Sequence, residues 1–205
     1  MSWCITKNQR QTPIFKLILA SSSPFRQELL QRLNLPFETI SPDVDESAVQ
    51  GESALDQVQR LALAKARKVA QQESQSWIIA SDQLAICGQT VYGKPGRHEQ
   101  AVTQLRQMRG ETLFFHTGLC LLNSSTGVEQ LDCVDYQIKF RKYSEEEIER
   151  YLNLEKPYNC AASFKSERLG IALVESMQGP DPSALIGLPL IRLSAMLRLE
   201  GLLVP

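Results

Sequence analysis

Residues 112–140 constrain the fold more than any other stretch. "TLFFHTGLCLLN" (112–123) and "VEQLDCVDYQIKF" (128–140) are long strand-like runs on either side of "SSTG". Aromatic and β-branched residues flanking a short Ser/Gly turn predict a hairpin, so two strands must lie antiparallel. The rest of the chain alternates between strand and helix. "FKLILA" (15–20) reads as a buried strand, and residues 24–33 as a helix with Leu29, Leu30 and Leu33 on one face. Ser23 is placed to cap that helix and Pro24 sits where a first-turn proline is tolerated. "FETIS" (37–41) is a second strand. A long helix follows from Ser53 to about Gln72, with Leu55, Val58, Leu61, Ala62, Ala66 and Val69 inward.

"WIIASDQLAIC" (77–87) is a third strand, and "GQTVYGKP" (88–95) a turn-rich segment with a short extended piece. A helix is expected over 97–108. "SEEEIERYL" (144–152) carries the capping-box pattern of a helix start. A strand near 169–175 and a helix over about 189–200 close the chain. Strand–helix alternation favours parallel pairing and the hairpin demands antiparallel pairing. The expectation is one α/β domain: a mixed sheet with flanking helices. A chain of 205 residues suffices for it. Residues 1–14 read as a loosely ordered extension, leaving 15–205 as the domain.

The charge balance narrows the class of function. A formal net charge of −1 gives no electrostatic reason to expect nucleic-acid or membrane binding. No apolar run reaches bilayer length, and "MSWCITKNQRQTPIF" lacks the apolar core of a secretory peptide. Cysteines at 4, 87, 120, 133 and 160 form no paired pattern, which points to reduced thiols and a cytoplasmic protein. Histidine and cysteine do not cluster at metal-ligand spacing, so a structural zinc site is not expected. With no GxSxG elbow and only His98 and His116, a serine hydrolase is a weak reading.

The chemistry-bearing residues fall at strand ends. Ser21, Ser22 and Ser23 lie between the first strand and the first helix, where free N–H groups and partial positive charge suit phosphate. Arg26 adds a bidentate phosphate donor. The plainer alternative, a simple cap and a solvated arginine, stands at even weight. Asp43, Asp45 and Glu46 in "SPDVDES" offer oxygen ligands to Mg²⁺ or form a solvated acidic turn. Asp82 interrupts an apolar run, where a carboxylate is costly unless paired or metal-bound. Its alternative is a strand ending at Ser81 that leaves Asp82 wet. Lys94 sits in a Gly-Pro-fixed turn, able to meet phosphate or simply solvent. Ser163, Lys165, Ser166 and Glu167 form a polar knot between apolar runs, which is a site segment or an ordinary loop.

In order along the chain, "LASSSPFRQELL", "DVDES", "LALAKA", "ASDQ", "GKP", "TGLCLL" and "SFKSERLGIALVESMQGPDPSALIGLPL" closely resemble the Maf family of nucleoside triphosphate pyrophosphatases. The match runs from about Lys16 to the C-terminus. The resemblance implies a fold related to inosine triphosphate pyrophosphatases, with two lobes around a deep cleft. It implies cleavage between the α- and β-phosphates of a nucleoside triphosphate, yielding the monophosphate and pyrophosphate with a divalent cation, Mg²⁺ or Mn²⁺. Asp82 takes the position of the family's proton acceptor. Ser21, Ser23, Arg26, Lys65 and Lys94 take substrate-binding positions, and Glu46 joins Asp82 as a metal ligand. Family members are often homodimers.

"SPFR", "DQ" and "SFKSE" look like the subgroup acting on 7-methyl-GTP, with Phe25, Gln83 and Glu167 at its specificity positions. The 7-methylated base is cationic, so an aromatic face adds a cation–π contribution of about 1–2 kcal/mol when desolvated. Glu167 can accept from guanine N1–H and N2–H₂, a donor pair that thymine and uracil lack. The chain departs from the subgroup at Phe25, usually Trp, and at Arg168, usually Gly. A cation beside Glu167 either repels the methylated purine or turns outward. The alternatives are a pyrophosphatase for dTTP, UTP or another modified nucleotide, and a weakly catalytic nucleotide-binding regulator of cell division.

Overall fold

The computed structural model describes residues 16–202 and 204. The expected extension over 1–14, and Phe15 of the first strand, lie outside them. Among the described residues seven strands form one mixed sheet: β1 (Lys16–Ala20), β2 (Glu38–Ile40), β3 (Ser76–Cys87), β4 (Thr90–Tyr92), β5 (Thr112–Asn123), β6 (Glu129–Phe140) and β7 (Val174–Gln178). The order is β2-β1-β3-β5-β6-β7, with β4 also on β3. β2 and β3 run parallel to β1, whereas β3–β5, β5–β6 and β6–β7 are antiparallel. The helices are α1 (Pro24–Gln31), α2 (Ala54–Ala70), α3 (His98–Met108), α4 (Glu145–Glu155) and α5 (Leu190–Leu199).

Local chemistry starts these helices where the sequence indicates. Ser23 and Ser53 accept from the Arg26 and Asp56 amides, and Ser144 with Glu147 closes the capping box of α4. The expected strand near 169–175 is displaced. Residues Leu169–Leu173 form a 3₁₀ turn and pairing begins at Val174. Gly170 explains the shift: a Cβ there would lie 2.3 Å from the Lys165 carbonyl oxygen, so the chain folds back on itself before it extends. Leu55 is also not inward. It stands 40 % exposed, because the buried stripe of α2 begins at Val58.

Apolar side chains pack in three groups. Leu17, Leu19, Leu29 and Ile79 meet Leu193 and Met196 of α5 on one face of the sheet. Ile18, Ile78 and Cys120 meet Ala62, Ala66 and Val69 of α2 on the other. The third joins Leu105, Phe115, Phe140, Tyr143, Leu152 and Phe164 around α3 and α4.

β3 links these regions and creates an opening. Its pairing with β1 ends at Leu19↔Ile79, and its pairing with β4 begins at Ala85↔Tyr92. Across residues 80–84 β3 is paired on its β5 side, from Ala80↔Cys120 to Leu84↔His116. Its other edge faces the gap between the end of β1 and the end of β4. Asp82 lies at the middle of that gap.

Candidate active site

The gap opens into a cavity of about 660 Å³ lined by residues 20–26, Glu46, Lys65, residues 82–84, residues 92–94, Lys165, Glu167 and Gly187, among others. That is the size range of small-molecule sites. Every expected site residue lines it: Ser21, Ser23, Phe25, Arg26, Glu46, Lys65, Asp82, Gln83, Lys94 and Glu167.

Asp82 belongs to the strand interior and is only 7 % exposed, so the reading in which the strand stops at Ser81 is excluded. Its partner is Lys65, on the inner face of α2. Lys65 Nζ lies 2.6 Å from Asp82 Oδ1 and 2.6 Å from Glu46 Oε1. One buried ammonium therefore joins two carboxylates. Its hydrogen bond holds the Glu46 carboxyl below the usual carboxylate range, with the charges of Lys65, Lys94 and Arg26 acting in the same direction. Asp43 and Asp45 do not line the cavity, and Asp45 instead accepts from the Ser47 amide at 2.9 Å.

Gly118 sets the approach of α2. It is the β5 residue opposite Asp82, and a Cβ there would lie 2.3 Å from the Val58 carbonyl oxygen. Only glycine lets α2 lie this close to the sheet. Lys65, two turns along the helix, is brought to Asp82 by that contact.

The α1 N-terminus forms the opposite wall. Ser21 Oγ accepts from the Ser23 amide at 3.1 Å, and Ser23 Oγ from the Arg26 amide at 3.4 Å. Pro24 has no amide hydrogen, so the Ser22 and Phe25 amides are the donors left for a ligand. Arg26 Nε donates to the Gly187 carbonyl at 2.9 Å, which leaves its terminal nitrogens for the cavity. Loss of solvent pushes the pKa of Arg26 down, while Asp82 and Glu46 hold it up. Gly187 has φ +110°, and a Cβ there would crowd Arg26 Nε at 3.2 Å.

The C-terminal segment organises the floor. Asp181 is buried and accepts from the Ser183, Ile191 and Arg192 amides and the Ser183 hydroxyl. The loop it fixes turns the Gly187 and Ala184 carbonyls inward. Gly187 accepts from Ser81 Oγ at 2.7 Å, and Ala184 from Gln83 Nε2 at 2.6 Å and Thr117 Oγ1 at 3.1 Å. Gln83 Nε2 also donates to Thr117 Oγ1. Both amide hydrogens of Gln83 are thus committed, and its oxygen remains to accept from a ligand.

Glu167 sits on a segment fixed from behind. Ala162 and Ser163 both adopt φ +54°, a left-handed backbone that non-glycine residues hold only when their surroundings enforce it. Here Tyr151 Oη donates to the Ser163 carbonyl and Ser163 Oγ to Gln104 Oε1. Gln104 in turn donates to the Gly93 carbonyl, tying this segment to the turn that carries Lys94. Glu167 itself is exposed, with one long contact of 3.4 Å from Ser166 Oγ. Arg168 is turned away from the cavity, its Nε lying 3.3 Å from Glu155 Oε1. The outward alternative for Arg168 is the one observed.

Lys165, part of the polar knot, also lines the cavity, while its Nζ donates to the Glu155 carbonyl at 3.1 Å. The signal available in sequence was its place two residues before Glu167. The site's donor set also bears on a metal. Glu46 and Asp82 offer only oxygen donors; Oε1 and Oδ1 contact Lys65, so a cation would take Oε2 and Oδ2. This fits a hard divalent ion.

Residues 16–200 match the family model described as Maf-like protein. A protein of Methylobacillus flagellatus named 7-methyl-GTP pyrophosphatase is 54 % identical over 185 residues, covering 90 % of this chain and 96 % of its own. Those of Nitrosococcus oceani and Aromatoleum aromaticum, with the same name, are each 50 % identical, covering 90 % and 93 % of this chain and 93 % and 98 % of their own. The chain is a member of the Maf family.

Proposed function

We propose that the protein is a metal-dependent 7-methyl-GTP pyrophosphatase that cleaves the α–β phosphoanhydride to give the monophosphate and pyrophosphate. The observation that carries this reading is the Glu46–Lys65–Asp82 chain facing the α1 N-terminus across one cavity, with Phe25, Gln83 and Glu167 along its walls. The names of its relatives support the same reaction. Four described cysteines are unpaired, which supports a cytoplasmic setting.

Asp82 takes the proton of the water that attacks the α-phosphorus. Lys65 holds that carboxylate in place through a direct contact of 2.6 Å. Arg26, Lys94 and the free amides at the start of α1 neutralise the triphosphate and the departing pyrophosphate. A divalent cation held by Glu46 and Asp82 would add Lewis acidity at the phosphates and a more acidic bound water. Phe25 stacks on the cationic base, while Glu167 and the Gln83 oxygen accept from its N–H donors.

The test is pyrophosphate release across a nucleotide panel with Mg²⁺ or Mn²⁺. The expected result is the highest kcat/KM on 7-methyl-GTP, and loss of turnover in Asp82→Asn while circular dichroism shows the variant still folded. Faster turnover of dTTP or UTP would overturn the substrate. Full activity of Asp82→Asn would remove Asp82 from the mechanism.

A further inference from the structure

Histidine and cysteine are scattered along the chain, but pairing of β5 with β6 gathers three kinds of metal-ligating side chain on one face of the sheet. His116 lies directly opposite Asp135, and Gly118 opposite Cys133. Cys133 and Asp135 are two residues apart on β6, so they share a face. His116 Nδ1 is 2.7 Å from Asp135 Oδ1, and Cys133 Sγ is 3.7 Å from the same oxygen. One ligand atom from each of the three lies within 4.8 Å of the others. The three share a sheet face with Asp82, since the cross-strand row runs Asp82–Gly118–Cys133. Two strand spacings, about 10 Å, separate Cys133 from Asp82 along that row.

We infer that His116, Cys133 and Asp135 form a second metal site, for a borderline-soft divalent cation such as Zn²⁺, distinct from the all-oxygen pair at Glu46 and Asp82. Zn²⁺ bonds of about 2.0–2.3 Å place tetrahedral ligand atoms about 3.3–3.6 Å apart. The observed 2.7 and 3.7 Å separations bracket that range, so small side-chain rotations bring the three onto one ion. Imidazole and thiolate select Zn²⁺ over Mg²⁺ or Mn²⁺, and paired carboxylates do the reverse. Binding replaces the thiol proton of Cys133 with the metal and releases that proton to solvent. The Asp135 side chain is 57 % exposed and that of His116 20 % exposed, so the fourth position is open to water or an exogenous ligand.

The experiment titrates the metal-free full chain with Co²⁺ in excess Mg²⁺, which fills the oxygen site. A near-ultraviolet thiolate-to-cobalt band and intense visible bands of tetrahedral cobalt should grow together and saturate at one ion per chain. Zn²⁺ should bleach both. Cys133→Ser should abolish the near-ultraviolet band. His116→Ala should weaken binding by more than the about 10–100-fold that outer partners of a metal site are worth. Circular dichroism melts establish that each variant is folded, and His116→Gln serves if His116→Ala is not. Saturation without a thiolate band, a band that survives Cys133→Ser, or unchanged affinity in the His116 variants would each overturn the site.

Discussion

Glu167 is the residue on which substrate choice turns. Its carboxylate is exposed and makes a single 3.4 Å contact with Ser166, so little of the fold depends on its charge. A charged acceptor facing a cationic base is worth roughly 1–1.5 kcal/mol more than a neutral amide. Glu167→Gln should therefore lower kcat/KM for 7-methyl-GTP by about tenfold and leave Tm unchanged. Steady-state kinetics and a melting curve on the same preparation check both halves. An unaltered substrate profile would end the base-reading role. Arg168 does not compete for this position, because Glu155, itself buried, holds its guanidinium outside the cavity.

At the scale of elements, α2 is the part whose placement most affects the site, and Gly118 is what allows it. A methyl group at 118 meets the Val58 carbonyl oxygen at 2.3 Å, so backbone has to move. Gly118→Ala should cost about 1–3 kcal/mol, as overpacked cores do. It should also lower kcat, since Lys65 moves with the helix. A urea midpoint and a turnover number measured together decide this, and a stable, fully active variant would show that α2 has slack. The start of α4 gives a pH-dependent case. Hydrogen bonds from Arg141 hold the Glu147 carboxyl down to about 2, against an ordinary 4.5. A depressed carboxyl contributes stability above its unfolded value and loses it as pH falls through the folded one. The Tm gap between the native chain and Glu147→Gln should therefore be full at pH 7 and narrow as pH falls from about 4.5 towards 2. A gap independent of pH would show that the charge contributes nothing.

Elements of this kind were legible in the sequence to the degree that their signals are local. Serine caps at 23, 53 and 144 set the starts of their helices within a residue. The hairpin followed from its turn. The strand at 174 was misplaced because close packing of Gly170 against Lys165 belongs to tertiary structure and leaves no periodic trace. The site residues were legible through their motif order. That Lys65 bridges two carboxylates, and that His116 meets Asp135, depend on helix placement and strand register, which spacing along the chain does not encode.

For the whole molecule, the cavity is a place where distant parts of the chain meet. Its walls come from residues 20–26, from α2, from both sides of the β3 gap, and from segments at 156–167 and 185–187. A triphosphate spanning it would contact each of these, so binding opposes global unfolding rather than stiffening one loop. Saturation with an α,β-methylene analogue of 7-methyl-GTP, whose bridging carbon resists cleavage, should add about 2.7 kcal/mol at a hundredfold excess over Kd. For a chain of this length that corresponds to a rise in Tm of roughly 5–10 °C. The monophosphate lacks the groups that meet Arg26 and Lys94, and it should raise Tm less at the same concentration. Arg26→Met should narrow that difference, with Lys94 still in place, while keeping much of the response to the base. Equal shifts from the triphosphate analogue and the monophosphate would mean that the α1 wall does not hold the β- and γ-phosphates, and the proposed orientation of the substrate would have to be reversed.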